Sequence, residues 1–294
     1  MNIYPSYKCN MHCQFCALCD IPGKPIDLDW LETQLKNHPN LCHDINILGG
    51  EPSILPYEYQ DRLIAMCTKA EGEKPYYITN LLNPTPFSDK IKLIVSYDGE
   101  LRPYNKRVLT NMLSLDVPFA MSTILTNNLV DNGADKYLKM LDRLPALERA
   151  DLVLYRSGTT AVDNTPDHNK LMDFVAAVMD HPKVNLTPYS AMKHYTDNGF
   201  ANIAGRFGFL PNNKYGVRID YNHLGYTPFD TYEEAVRYYF LRIDHLMNKA
   251  KPCSNCKYLG HCWCVGGFED GVCHGDREMM EFFERRLDNV HSPV

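Results

Sequence analysis

Short runs rich in β-branched and aromatic residues recur at residues 3–7, 44–48, 76–79, 91–96, 119–125 and 151–155, each about the length of a strand. Between them lie stretches with apolar residues three and four apart. Leu28, Leu31 and Leu35 share one helical face after the first run, and Leu171, Phe174, Val175 and Val178 share one after the last. This alternation predicts six β/α units and a parallel sheet, whose ligands bind beyond the C-terminal ends of the strands. The rhythm stops near residue 182, dividing the chain into parts spanning 1–182 and 183–294. In the second part, residues 215–228 read as a hairpin. Residues 232–249 read as a helix with Val236, Tyr239, Phe240, Ile243 and Leu246 on its inner face, and residues 277–289 as a helix packing Met279, Phe282, Phe283 and Leu287 against the body.

Composition narrows the class. A chain of 294 residues with 45% hydrophobic side chains buries a full core without disulfide staples. No apolar run reaches the roughly 18 residues of a membrane span. Residues 1–8 carry no apolar signal segment, so a soluble, cytoplasmic protein with no membrane partner is expected. The 11 cysteines should then be reduced thiols, better suited to metal or redox chemistry than to bridges. A net charge of -6, from 30 basic and 36 acidic residues, disfavours a broad nucleic-acid-binding face but leaves room for a local basic groove.

Cysteine placement is the sharpest signal. Cys9, Cys13, Cys16, Cys19, Cys42 and Cys67 lie in the N-terminal quarter, Cys253, Cys256, Cys262, Cys264 and Cys273 near the C-terminus, and none between residues 68 and 252. Cys9, Cys13 and Cys16 on one loop suit an inorganic cluster whose fourth metal has no protein ligand. With Cys19 they would equally satisfy a tetrahedral zinc site. The loop after the second strand reads Gly49-Gly50-Glu51-Pro52, where glycines let the backbone approach a ligand and carbonyls beside a carboxylate suit an ammonium group. Ser96 and Asp98, two apart at the end of the fourth strand, share a face. Asn80, Thr123, Thr126, Tyr155, Arg156 and Ser157 are further candidates to line the mouth, Arg156 as a clamp for a carboxylate.

The arrangement Cys9-x3-Cys13-x-Phe15-Cys16, followed by Gly49-Gly50-Glu51, resembles the radical SAM superfamily. The resemblance implies an α/β fold, a partial (β/α)6 TIM-like barrel. It implies that Cys9, Cys13 and Cys16 bind a [4Fe-4S] cluster whose open iron chelates S-adenosylmethionine (SAM). Gly49, Gly50 and Glu51 would then seat the methionine amine and Phe15 would lie against adenine. Ser96 and Asp98, similar to a Ser-x-Asp-Gly strand end of peptide-modifying members, would face ribose and methionine. Reductive cleavage of SAM to a 5′-deoxyadenosyl radical, fed by a donor such as a flavodoxin or ferredoxin, is the implied activity; no catalytic acid or base is identifiable.

The hairpin, helix and Cys253-x2-Cys256-x5-Cys262 order resembles the SPASM and twitch extensions, which carry auxiliary iron–sulfur clusters. This chain lacks a cysteine at the hairpin end, where Thr227, Pro228 and Phe229 stand. The resemblance therefore implies a C-terminal hairpin-helix extension with one auxiliary [4Fe-4S] cluster on Cys253, Cys256, Cys262 and Cys273, with Cys264 spare or exchanging for Cys262 or Cys273. A zinc ribbon fits the same spacing. Cys42 and Cys67 read as small buried hydrophobes, and Cys19 as a candidate hydrogen-atom donor.

The leading expectation is a radical SAM enzyme, an oxidoreductase or isomerase, modifying a peptide or protein side chain. Because the cysteine motif lies so near residue 1, an N-terminal peptide-recognition domain is not expected before it. This keeps open an enzyme acting on an amino-acid-decorated nucleotide or DNA base in a viral hypermodification pathway. A non-enzymatic zinc- or cluster-binding protein is the third reading, and it leaves Gly49-Gly50-Glu51 unexplained.

Overall fold

The structure, a computed structural model, describes residues 1–13, 15, 16, 18, 21–155, 163–186, 207–217, 227–248, 256 and 277–291. Among the described residues, ten strands form one sheet: β1 (Asn2–Ile3), β2 (Asn46–Ile47), β3 (Tyr76–Thr79), β4 (Lys92–Ser96), β5 (Phe119–Leu125), β6 (Leu147–Leu154), β7 (Val184–Leu186), β8 (Phe207–Leu210), β9 (Lys214–Val217) and β10 (Thr227–Phe229). Their spatial order is β10, β9, β8, β1, β2, β3, β4, β5, β6, β7, leaving β10 and β7 at the edges. Pairing is parallel from β8 across to β7, and antiparallel from β8 through β9 to β10. The expected α/β parallel sheet is therefore present. The expected hairpin is the β9–β10 pair, and strands from both sides of residue 182 join the same sheet.

Helices α1 (Leu28–Asn37), α2 (Tyr57–Glu71), α3 (Asn105–Leu113), α4 (Asn127–Asp131), α5 (Ala134–Asp142) and α6 (His168–Val178) follow the strands. Asp27 caps α1 by accepting from the amides of Asp29 and Trp30, and Gly72, at φ 83°, ends α2 in the left-handed conformation. The stripes of α1 (Leu28, Leu31, Leu35) and α6 (Leu171, Phe174, Val175, Val178) are buried as their spacing predicts. One crossover departs from the expected alternation, since β3 passes to β4 without a helix. Pro84 and Pro86 remove amide donors and bias their neighbours away from helix. Fully buried Phe87 packs this connection into the core, stacked on Tyr57 of α2 at 4.7 Å between ring centroids.

The sheet has a dry face and an open one. In β5, Phe119, Met121, Thr123 and Leu125 are buried, whereas Ala120, Ser122 and Ile124 are only half-buried. The ladder aligns Ser96 with Ser122, Ser122 with Asp151, and Asp151 with Asn185. Cα partners in register share a face, so these four form a polar row across the open face from β4 to β7.

Two further helices, α7 (Tyr232–Asn248) and α8 (Arg277–His291), stand near their expected positions. Among the described side chains of α7, Ala235 and Tyr239 are buried and Val236 packs against the core; Phe240 is 58% exposed, contrary to its expected inward position. Phe240 lies about 100° around the helix from Tyr239, and α7 meets the sheet along β9 and β10, so the buried arc is narrower than the apolar stripe. Ile243, Leu246 and Leu287 fall outside the described side chains; Met279 and Phe283 are buried and Phe282 partly so. Among the described residues no helix is long and apolar enough to cross a membrane.

An aromatic seam fastens the C-terminal strands to α1. Trp30 meets Phe209 and Tyr215 edge-on, each at 5.6 Å, and His38 lies 4.0 Å from Tyr232. Within it the buried Tyr215 hydroxyl donates to Gln34 Oε1 at 2.5 Å. Tyr215→Phe should lower unfolding stability by about 1–3 kcal/mol, because Gln34 is left buried without its donor. Denaturant melts of the two proteins check this.

Candidate active site

The cysteine loop leaves β1 and is held down by the loop that leaves β2. The amide of Gly50 donates to Ser6 O at 2.9 Å and that of Glu51 to Lys8 O at 2.8 Å. A Cβ on Gly50 would lie 2.0 Å from Lys8 O and 2.4 Å from Tyr7 O, and one on Gly49, at φ 136°, would lie 2.6 Å from Ser6 O. Both glycines are thus required by the approach of the cysteine loop itself, a reason different from the ligand approach expected of them. This contact also explains why the two motifs occur together.

Glu51 is 1% exposed, and a buried carboxylate is tolerable only with donors around it. Its Oε1 accepts from Ser53 N at 3.0 Å and Thr79 Oγ1 at 2.7 Å, and its Oε2 from Asn80 N at 2.6 Å. Three of about four lone-pair sites are therefore engaged by the chain. Asn80 continues the network. Its side-chain amide donates to Asn10 Oδ1 at 2.8 Å and to Cys9 Sγ at 3.8 Å, and the Met11 amide donates to the same sulfur at 3.4 Å. Glu51 thereby connects the end of β3 to the cysteine loop through Asn80.

Cys13 and Phe15 are buried, and Cys9 and Cys16 are half-buried. The three thiols act on one another electrostatically. Burial pushes Cys9 up, opposed by the Met11 amide, and pushes Cys13 up to about 11, opposed by the Arg102 guanidinium. Among the described residues no three metal-ligating side chains converge on a single ion. Ligands of a polynuclear cluster bond to different irons and need not approach so closely. The donor set, three thiols on a loop that glycines hold in place and that a buried cation overlies, fits a cluster. Cys19 lies outside the described residues.

Arg102, which no motif singles out, lies over the cysteine loop at Phe15. It follows a turn of 3-10 helix at Gly99–Leu101, just beyond β4. Its Nε donates to Asp98 Oδ2 at 3.0 Å, a second guanidinium nitrogen pairs with the same oxygen, and its central carbon lies 5.6 Å from the Phe15 ring centre. Asp98, 1% exposed, accepts the Ile124 amide on its other oxygen at 2.7 Å. Both Asp98 oxygens are therefore occupied by the chain, and its backbone (φ -116°, ψ 29°) has left the extended region that would keep it on the face of Ser96. Ser96 is half-buried in the polar row.

The other mouth candidates divide. Asn80 belongs to the site. Thr123 is fully buried on the helix side, 3.4 Å from the Tyr137 hydroxyl, and Thr126 caps α4 by accepting from Leu129 N, so neither lines the mouth. Tyr155 is buried, and Arg156 and Ser157 lie outside the described residues. Cys42 and Cys67 are buried as expected, Cys42 with its thiol directed at Leu35 O and His38 O. Of the C-terminal set, Cys256 is half-buried against the core; Cys253, Cys262, Cys264 and Cys273 lie outside the described residues. Sequence patterning offered no sign of Ser122, Asp151 or Asn185. Asp151 accepts from Asn185 Nδ2 at 2.5 Å and from Arg149 Nε at 2.9 Å.

No protein-family model and no curated protein matches the sequence. Solved structures do. Streptococcus suis SuiB bound to precursor peptide SuiA matches with a TM-score of 0.64 at 16% identity, over 91% of this chain and 71% of that one. His-tagged anSMEcpe with bound AdoMet matches with a TM-score of 0.66 at 16% identity, over 98% of this chain and 97% of that one, as does native anSMEcpe with AdoMet and the Cp18Cys peptide. The chain shares its fold with SuiB and anSMEcpe. In this fold the thiols, Glu51, Asn80 and Asp98 all stand at or beyond the C-terminal ends of β1 to β4, where a parallel sheet places its ligands.

Gly50→Ala should cost about 1–3 kcal/mol of stability through overpacking against the cysteine loop. It should also reduce iron retained after anaerobic reconstitution, measured per chain beside the wild type.

Proposed function

We propose that this chain is a radical SAM enzyme that modifies a peptide or protein side chain. The observation that carries the reading is the joined cradle of Cys9, Cys13 and Cys16 with Gly50, Glu51 and Arg102, in a fold shared with AdoMet-bound anSMEcpe. Cys9, Cys13 and Cys16 would hold a [4Fe-4S] cluster. Bound together, the cluster and SAM supply reductive cleavage of the sulfonium and hence hydrogen abstraction from an unactivated carbon, which acid–base side chains cannot achieve.

The chain's own residues position and exclude. Gly49 and Gly50 keep the cysteine loop against the loop after β2, and Glu51 braces it, so that the carbonyls beside Glu51 would receive the methionine amine. Phe15, buried under Arg102, would lie against adenine. Ser96 would meet the cofactor's polar end, and Asp98 would contribute through Arg102. The row of Ser96, Ser122, Asp151 and Asn185 offers donors and acceptors in the spacing of a strand ladder, suited to a polar, extended substrate. The peptide in one anSMEcpe structure and the precursor peptide on SuiB support this substrate class.

Residues 1–182 would carry this chemistry, and residues 183–294 an auxiliary [4Fe-4S] cluster on Cys253, Cys256, Cys262 and Cys273. With four protein ligands that cluster leaves no iron open to substrate and serves as an electron relay or structural clamp. The reducing electron would come from a flavodoxin or ferredoxin.

Anaerobic reconstitution with iron and sulfide, then dithionite and SAM, should yield 5′-deoxyadenosine and about eight irons per chain. Zinc in both sites without deoxyadenosine would overturn the reading. Cys13→Ala should abolish SAM cleavage, while Cys256→Ala should leave cleavage uncoupled from product. Equal loss in both would assign Cys256 to folding instead.

A further inference from the structure

Arg102 is a cation in an expensive place. Its side chain is 10% exposed and its partner Asp98 1%, and an ion pair this deep loses hydration that mutual attraction only partly restores. The pair is also polarised. Nε and one terminal nitrogen face Asp98, whose other oxygen is tied to β5 through the Ile124 amide, and the guanidinium lies over Phe15 in the cysteine loop. The pair therefore sets its guanidinium, and not its carboxylate, against the cysteine loop.

We propose that Arg102 is a positioning residue of the cluster site: gripped by Asp98 and seated over Phe15, it fixes the cysteine loop and offsets the negative charge of a three-thiolate cluster. Such a cluster carries a net charge of about -1, which one-electron reduction takes to about -2. A fixed cation beside it stabilises the reduced form more than the oxidised one, because the Coulomb term scales with the cluster's charge. Arg102 thus raises the fraction of cluster that a donor can reduce. The inference rests on the radical SAM reading above.

The test is an electron-paramagnetic-resonance redox titration of the full-length, reconstituted protein without SAM, following the signal absent in Cys13→Ala. Arg102→Gln should lower the ratio of reduced to oxidised cluster at fixed potential about tenfold, equivalent to about 59 mV for one electron. Arg102→Lys should stay near the wild type. Because Arg102→Gln strands a buried carboxylate, the double variant Arg102→Gln, Asp98→Asn provides a neutral pair of similar shape and should show the same direction of shift. Iron lost in Arg102→Gln but kept in Arg102→Lys would also support the role of charge. The inference is overturned if the double variant titrates with the wild type at full iron content, or if Arg102→Lys loses iron as completely as Arg102→Gln. Failure of the underlying reading looks different, since the wild type itself would then assemble no cluster.

Discussion

The carboxylate of Glu51 is the point on which the site depends. It is buried, so it must be surrounded by donors, and it takes them from its own loop at Ser53 and from the end of β3 at Thr79 and Asn80. Its own amide donates to Lys8 in the cysteine loop. One residue thus joins the exits of β1, β2 and β3, and Gly49 and Gly50 are the residues small enough to let those exits meet. The cysteines inherit their placement from this junction. Cys9 is further fixed by two N–H donors, from Met11 and from Asn80, the latter itself positioned by Glu51.

A second junction, at the exit of β4, is electrostatic where the first is steric. Asp98 is anchored to β5 and grips Arg102, and Arg102 lies over Phe15 between two of the cysteines in sequence. The four exits therefore converge on one loop, and what they bring together is complementary: thiols whose ligating form is anionic, and a cation that is largely withdrawn from water. Beyond them, the half-buried polar row from Ser96 to Asn185 runs across β4 to β7 on the open face. The aromatic seam of Trp30, Phe209 and Tyr215 secures the opposite side of the sheet.

Much of this was legible in the sequence. Periodicity placed β3, β4 and β5 within a residue or so, and the buried stripes of α1 and α6, because half-buried elements repeat their apolar positions at the period of their geometry. The cysteine spacing and Gly49-Gly50-Glu51 pointed to the site because both motifs are local. What stayed hidden was non-local. β8 carries buried residues throughout and pairs with β1 across some two hundred residues of sequence, so it shows no alternation, and Asn212 and Asn213, left-handed in the turn to β9, mark only its local hairpin partner. The polar row depends on register among four strands, which no single segment encodes. Arg102 looks like a solvated loop residue until Asp98 and Phe15 are seen around it. Thr123 misled for the converse reason: a polar residue on a strand is as readily satisfied by a buried tyrosine on a helix as by a ligand.

In the proposed function, Cys9, Cys13 and Cys16 share one cradle that leaves an iron open to SAM. The electron-paramagnetic-resonance spectrum of the reduced, reconstituted protein before and after SAM is added tests this. SAM should shift the g-values of one cluster signal, the signal that Cys13→Ala lacks. Identical spectra with and without SAM, in protein holding its full complement of iron, would show that no iron is open to it.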